Sequence, residues 1–133
     1  MATVTPTLTL SSSDLLSDAL SISTTTSITA SHTSGLARAA ITSTAKGTAS
    51  GQVTIATAGE FTSPNYLFIK NTAAYHATNN IITLFDDTNS DVEIAYIPGG
   101  SFAFLPVFSG NTLKAFASTS GTVVEWMIVG TNA

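Results

Sequence analysis

Charge is scarce in this chain. Of its 133 residues only 9% are Asp, Glu, Lys or Arg, where an ordinary globular domain carries about 25%. The four basic residues, Arg38, Lys46, Lys70 and Lys114, are dispersed against eight acidic ones, for a net charge of −4. Without a basic patch there is no electrostatic footprint for phosphate, and no nucleic-acid partner is expected. Cysteine is absent, which excludes a disulfide framework and a thiolate metal site. His32 and His76 are the only imidazoles. No apolar run approaches the roughly 20 residues of a membrane helix. Met1-Ala2-Thr3-Val4-Thr5-Pro6 holds no basic segment followed by an apolar run, so no secretory signal is expected there.

Ser and Thr stand where charges would be, and apolar residues reach 44%. β-Branched Thr suits a pleated, half-buried surface, whereas Ser and Thr in a helix interior compete for backbone hydrogen bonds, so composition points to strands. An uncharged polar surface also costs less to desolvate than one of Lys and Glu, which favours assembly. A domain of this length buries roughly two-thirds of its unfolded surface and needs no metal or disulfide to form a core.

Alternation with period two confirms the direction. Thr3, Thr5, Thr7 and Thr9 alternate with Val4, Pro6, Leu8 and Leu10; Ser21, Ser23, Thr25 and Ser27 alternate with Leu20, Ile22, Thr24, Thr26 and Ile28. Between them, residues 11–18 predict a single helical turn, capped by Ser13, with Asp14 in its first turn and Leu15 and Leu16 pointing inward. Further strands are expected over 37–43, 52–57, 66–71, 81–85, 92–97, 101–108, 112–118 and 122–129. Turn signals at 46–51, 86–90, 98–100, 109–111 and 119–121 and loops at 59–65 and 71–80 separate them. About nine strands so spaced predict an all-β, single-domain antiparallel β-sandwich of jelly-roll-like type spanning residues 1–133.

Few residues offer chemistry. Asp87, Asn89, Asp91 and Glu93 have the oxygen-donor spacing of a hard-cation loop, but Val92 stands where an EF-hand needs Gly and Pro98 where it needs the bidentate Glu. On a strand the same four residues would line a solvated face, and Asp and Asn are ordinary turn formers. His32 and His76 sit in predicted loops among Ala, Ser, Thr and Asn, with no carboxylate at a helpful spacing. No Gly-x-Ser-x-Gly elbow occurs, and Pro98-Gly99-Gly100 joins two strands rather than opening a helix. No cofactor, no catalytic residue and no enzyme activity are expected. A sugar-stacking platform would draw on Trp126, Tyr66, Tyr75 and Tyr96; Trp126 reads as core between Val124 and Ile128, which leaves Tyr75 as the exposed aromatic.

The strongest pattern is in the C-terminal part. Phe102, Phe104 and Phe108 fall on one face of their strand and Ala103, Leu105 and Val107 on the other; Val124, Trp126 and Ile128 oppose Val123, Met127 and Val129, with Glu125 the one interruption. In a two-layer sandwich one face normally meets solvent, so two apolar faces imply that a loop, a helix or a neighbouring subunit covers the second. Phe102, Phe104, Leu105, Phe108, Val123, Met127 and Val129 are therefore the expected interface residues.

Three stretches carry a resemblance. They are Thr7-Leu8-Thr9-Leu10-Ser11-Ser12-Ser13-Asp14-Leu15 followed by Ala19-Leu20-Ser21-Ile22, then Tyr66-Leu67-Phe68-Ile69-Lys70-Asn71-Thr72, and Ile97-Pro98-Gly99-Gly100-Ser101-Phe102-Ala103-Phe104-Leu105-Pro106. On these the chain resembles the small Thr/Ser/Ala-rich β-sandwich virion structural proteins of tailed, especially marine, bacteriophages, of the capsid decoration or cement type. The resemblance implies a place on the particle, either on the head or in the tail, and transfers no functional residue. The expected partners are further copies of the chain, as a trimer by the same resemblance, together with the major capsid protein or other virion proteins, and no membrane. The expected location is the virion, assembled in the host cytoplasm and released by lysis; that also reconciles an extracellular-type composition with the lack of a secretory signal. The alternative is a sugar-binding or adhesive β-sandwich module.

Overall fold

The computed structural model describes residues 1–15, 17–47 and 49–132. The inward placement expected of Leu16, and Thr48 within the 46–51 turn, lie outside the described residues. Among the described residues every regular element is a strand: β1 Ala2–Val4, β2 Thr7–Ser12, β3 Leu20–Thr25, β4 Ile28–Ala30, β5 His32–Thr33, β6 Ala37–Ile41, β7 Val53–Ala56, β8 Phe61–Asn71, β9 Ile82–Asp86, β10 Val92–Ile97, β11 Phe102–Val107, β12 Leu113–Ala117 and β13 Thr122–Asn132.

From β6 onward the eight strands form two antiparallel sheets. The first has the order β11-β8-β13, with β6 on the far side of β13; the second runs β10-β9-β12-β7. Successive strands pass between the sheets except at the β9–β10 hairpin. This is the wiring of a jelly roll, in which two Greek keys close over one core. Alternation turns one side of each strand inward. Ile41, Leu67, Ile69, Val124 and Ile128 of the first sheet meet Ile55, Ile82, Leu84, Ile97, Leu113 and Ala115 of the second, all buried in one cluster. Trp126 packs half-buried against it.

Two polar side chains hold the turns. Asn71, fully buried, donates from Nδ2 to the carbonyls of Asn80 (2.6 Å) and Ile97 (2.9 Å), while its Oδ1 accepts the Ala73 N–H at 3.1 Å. It therefore ties the 72–81 loop to the end of β10. Gly99 lies against that loop so closely that any Cβ would collide with the Ala74 carbonyl. At the other end, Asp86 accepts the backbone N–H groups of Thr88 and Asn89 and the amides of Asn89 and Asn111. That closes the β9–β10 turn, where Ser90 and Asp91 both take left-handed φ angles.

The N-terminal quarter departs from expectation. Thirteen strands, against about nine, arise because Pro6 and the Thr26-Ser27 pair each interrupt an alternating run, and because His32–Thr33 adds a short strand beside β13. Among the described residues of 11–18 no helical turn forms. Ser12 Oγ, rather than Ser13, accepts the N–H groups of Asp14 and Leu15 at 3.3 and 3.0 Å, and Leu15 points into solvent. A Ser side chain that satisfies the backbone locally competes with the helix ladder. β8 also begins at Phe61, inside the predicted 59–65 loop, because Phe61 and Thr62 pair with Asn132 and Thr131 of β13 past a register shift.

Candidate assembly surface

The outward face of the first sheet is set by the register of its strands. Across β11, β8, β13 and β6, Phe102, Lys70, Glu125 and Arg38 lie in one row. Phe104, Phe68 and Met127 form the next, and Pro106, Tyr66 and Val129 the third. Four aromatic rings thus share one patch. Phe104 stacks on Tyr66 with centroids 5.9 Å apart, and Phe102 tilts against Phe68 at 6.3 Å. Phe102 is 60% and Phe104 38% exposed, an unusual outlay of aromatic surface for an isolated sandwich. The row above is polar: Arg38 Nη1 lies 3.5 Å from Glu125 Oε1.

Of the expected interface residues, Phe102, Phe104 and Met127 lie on this face, and Val123 joins them at the β6 side. Phe108 follows β11 in an exposed turn. Leu105 does not belong there. Alternation sends it inward, where it packs against the core. Val129 is on the outward face but is 4% exposed, because the N-terminal chain covers it. Tyr66, named from the sequence only as a sugar-stacking candidate, and Phe68 were not among the expected interface residues; the alternation of Tyr66, Phe68 and Lys70 with Leu67 and Ile69 was the available signal.

The cover is a two-stranded ribbon. β1 pairs with β4, burying Ile28 and Ala30, and a recess of about 560 Å³ remains between Val4, His32, Met127 and Val129. The ribbon then reaches β11, where Pro6, Leu8, Thr24 and Thr26 border a second recess of about 510 Å³ with Phe102 and Phe104. Beyond this it continues as the β2–β3 hairpin. Its described residues between 9 and 23 are exposed, save Ser12 and Leu20, which are half-buried.

The second sheet dresses its outward face differently. Phe85 lies on that side yet is fully buried, edge-on to Phe116 at 5.8 Å. In register it sits between Lys114 and Glu93. Both are engaged in ion pairs, Lys114 with Asp87 at 2.7 Å and Glu93 with Lys46 at 3.1 Å, and Tyr96 also donates to Glu93. These pairs separate the four residues of the candidate cation loop. Asp87 and Glu93 each face a lysine, and Asp91 takes a left-handed φ in the turn with its carboxylate beside Gly47. Among the described residues no three His, Cys, Asp or Glu side chains gather into a ligand set. Asp86, one residue before the predicted spacing, is the carboxylate that organises the turn.

The remaining candidates are scattered. His32 is half-buried with its ring 5.1 Å from that of Phe61. His76 Nδ1 accepts the N–H groups of Thr78 and Asn79 at 3.2 and 3.1 Å, holding its own exposed loop. Tyr75, beside it, points into solvent. Compared with protein families, curated proteins and solved structures, the chain matches none of them.

Proposed function

We propose that the chain is a non-enzymatic structural subunit of a bacteriophage virion, a decoration or cement protein that binds the head through uncharged and apolar surface and associates with its own copies. The observation that carries this reading is the Phe102, Phe104, Tyr66 and Phe68 patch on the outward face of the first sheet, where Phe102 and Phe104 are exposed and Tyr66 and Phe68 half-buried. Burying such a patch releases apolar surface from water without stranding charge, which is the physical requirement of a permanent contact. The scarcity of charge over the whole chain supports it. So does the resemblance to Thr/Ser/Ala-rich virion proteins carried by residues 7–22, 66–72 and 97–106.

The test is localisation in purified particles. Labelling the chain and imaging the particle should place it in a symmetric array on the head. Its absence from purified particles would overturn the reading, and an array confined to the tail would move it to a tail component. The exposed Tyr75 and Tyr96 favour the adhesive module as a second reading. Saturable glycan binding by the isolated chain, lost in Tyr75→Ala, would support that instead.

A further inference from the structure

The β2–β3 hairpin has two unlike faces. Pairing Leu8 with Thr24, Leu10 with Ile22 and Ser12 with Leu20 puts four aliphatic side chains on one side, while Thr7, Thr9, Ser11, Ser21, Ser23 and Thr25 make up the other. Leu10 and Ile22 are each 47% exposed. A two-stranded hairpin is marginally stable in water unless a third strand or a packed surface supports it. This one receives no such support past Leu8, the last apolar residue of the arm to border the recess beside Phe102 and Phe104.

One chain therefore displays both halves of an apolar contact, an aliphatic arm and an aromatic face, which it brings together itself only at Leu8. Their charges match as well. The arm's only ionisable side chains are Asp14 and Asp18, at its tip. The row beside the aromatic patch holds Lys70 and Arg38 around Glu125. Arg38 pairs with Glu125, which leaves Lys70 without an ion-pair partner among the described residues.

We infer that the arm is a clasp for a second copy of the chain, its Leu10 and Ile22 face seated on the Phe102–Phe104 patch of the neighbour and its acidic tip beside the neighbour's Lys70. The inference rests on reading the outward face as an assembly surface and adds which segment covers it. Each copy gives an arm and receives one, so the contact is either a reciprocal two-fold pair or runs head to tail, closing into a ring where the rotation permits.

The lack of native cysteine allows a test without background. Leu10→Cys and Phe104→Cys are made as separate chains, mixed, and oxidised mildly, with light scattering on the same samples and on the unmodified chain. The expected result is a disulfide-linked pair holding one chain of each kind, with no cross-link when either variant is oxidised alone. Self-cross-linking of Leu10→Cys would overturn the clasp in favour of arm-to-arm packing. An oligomer with no mixed cross-link would overturn the clasp and leave self-association through another surface standing. Monomers throughout, with the unmodified chain also monomeric, would overturn both. As a second variant, Leu10→Asp with Ile22→Asp should lose the oligomer at concentrations where the unmodified chain is fully associated, while its melt matches that of the unmodified chain diluted to monomer; an intact oligomer would again overturn the clasp.

Discussion

The jelly roll and the N-terminal arm use the same alternation of apolar and hydroxyl residues and end in opposite states. In β9 all five residues are buried; in β2 five of six are exposed. Thr83 lies between Ile82 and Leu84 much as Thr9 lies between Leu8 and Leu10. What differs is the opposing surface. β9 has a neighbour on each side, β10 and β12, and the other sheet across the core, whereas β2 has only β3. A strand pattern specifies which side chains share a face, and the presence of a second layer decides whether that face becomes core or contact surface.

The comparison breaks most sharply under matched truncations. Leu84→Ala, at a fully buried site, should cost about 2–5 kcal/mol of unfolding free energy, the range for leucine removed from a packed core. Leu10→Ala should change the stability of the dilute monomer by less than about 0.5 kcal/mol, as exposed sites do. Denaturant melts of both variants check this, and comparable losses would show that the arm is part of the cooperative body.

A smaller loss is expected at a polar site of the body. Asn71→Ala leaves the Asn80 and Ile97 carbonyls and the Ala73 N–H without their partner, and should destabilise by about 1–3 kcal/mol. Its mark would be faster amide exchange in residues 72–81, the segment that Asn71 ties down. Ser12→Ala, which removes the corresponding local bonds at the arm tip, should leave the melt of the body in place.

Much of the body could be read from residue order. Turns at Pro98-Gly99-Gly100 and Thr119-Ser120-Gly121, and the two-faced strands around Phe104 and Trp126, are local patterns, and they lie where expected. The rest depended on contacts distant in the chain. Nothing local tells that Leu105 points to the core and Phe104 away from it, since both faces of β11 are apolar and only its pairing with β8 decides. The extension of β8 to Phe61 required β13 as a partner. Likewise, Asp87, Asn89, Asp91 and Glu93 have a ligand-like spacing, but Lys114 and Lys46 come to Asp87 and Glu93 from other strands or loops. Asp86 adds to its local bonds one from Asn111, 25 residues away.

That reassignment gives the smallest expected effect. Adding calcium should leave the melting temperature unchanged, because only a site formed in the native state raises it by linkage. A chelator-sensitive melt would restore the residues at 87–93 as a cation site. Lys114→Ala, which removes a half-buried ion pair, should cost about 1 kcal/mol.

The central claim is that the body is stable alone and the arm gains its order from a neighbour. Amide hydrogen exchange at two protein concentrations, one monomeric and one associated by light scattering, tests it most directly. Strands β8, β9 and β13 should be protected equally at both, while β2 and β3 should exchange rapidly when dilute and become protected on association. Protection of β2 and β3 that is the same at both concentrations would contradict the claim.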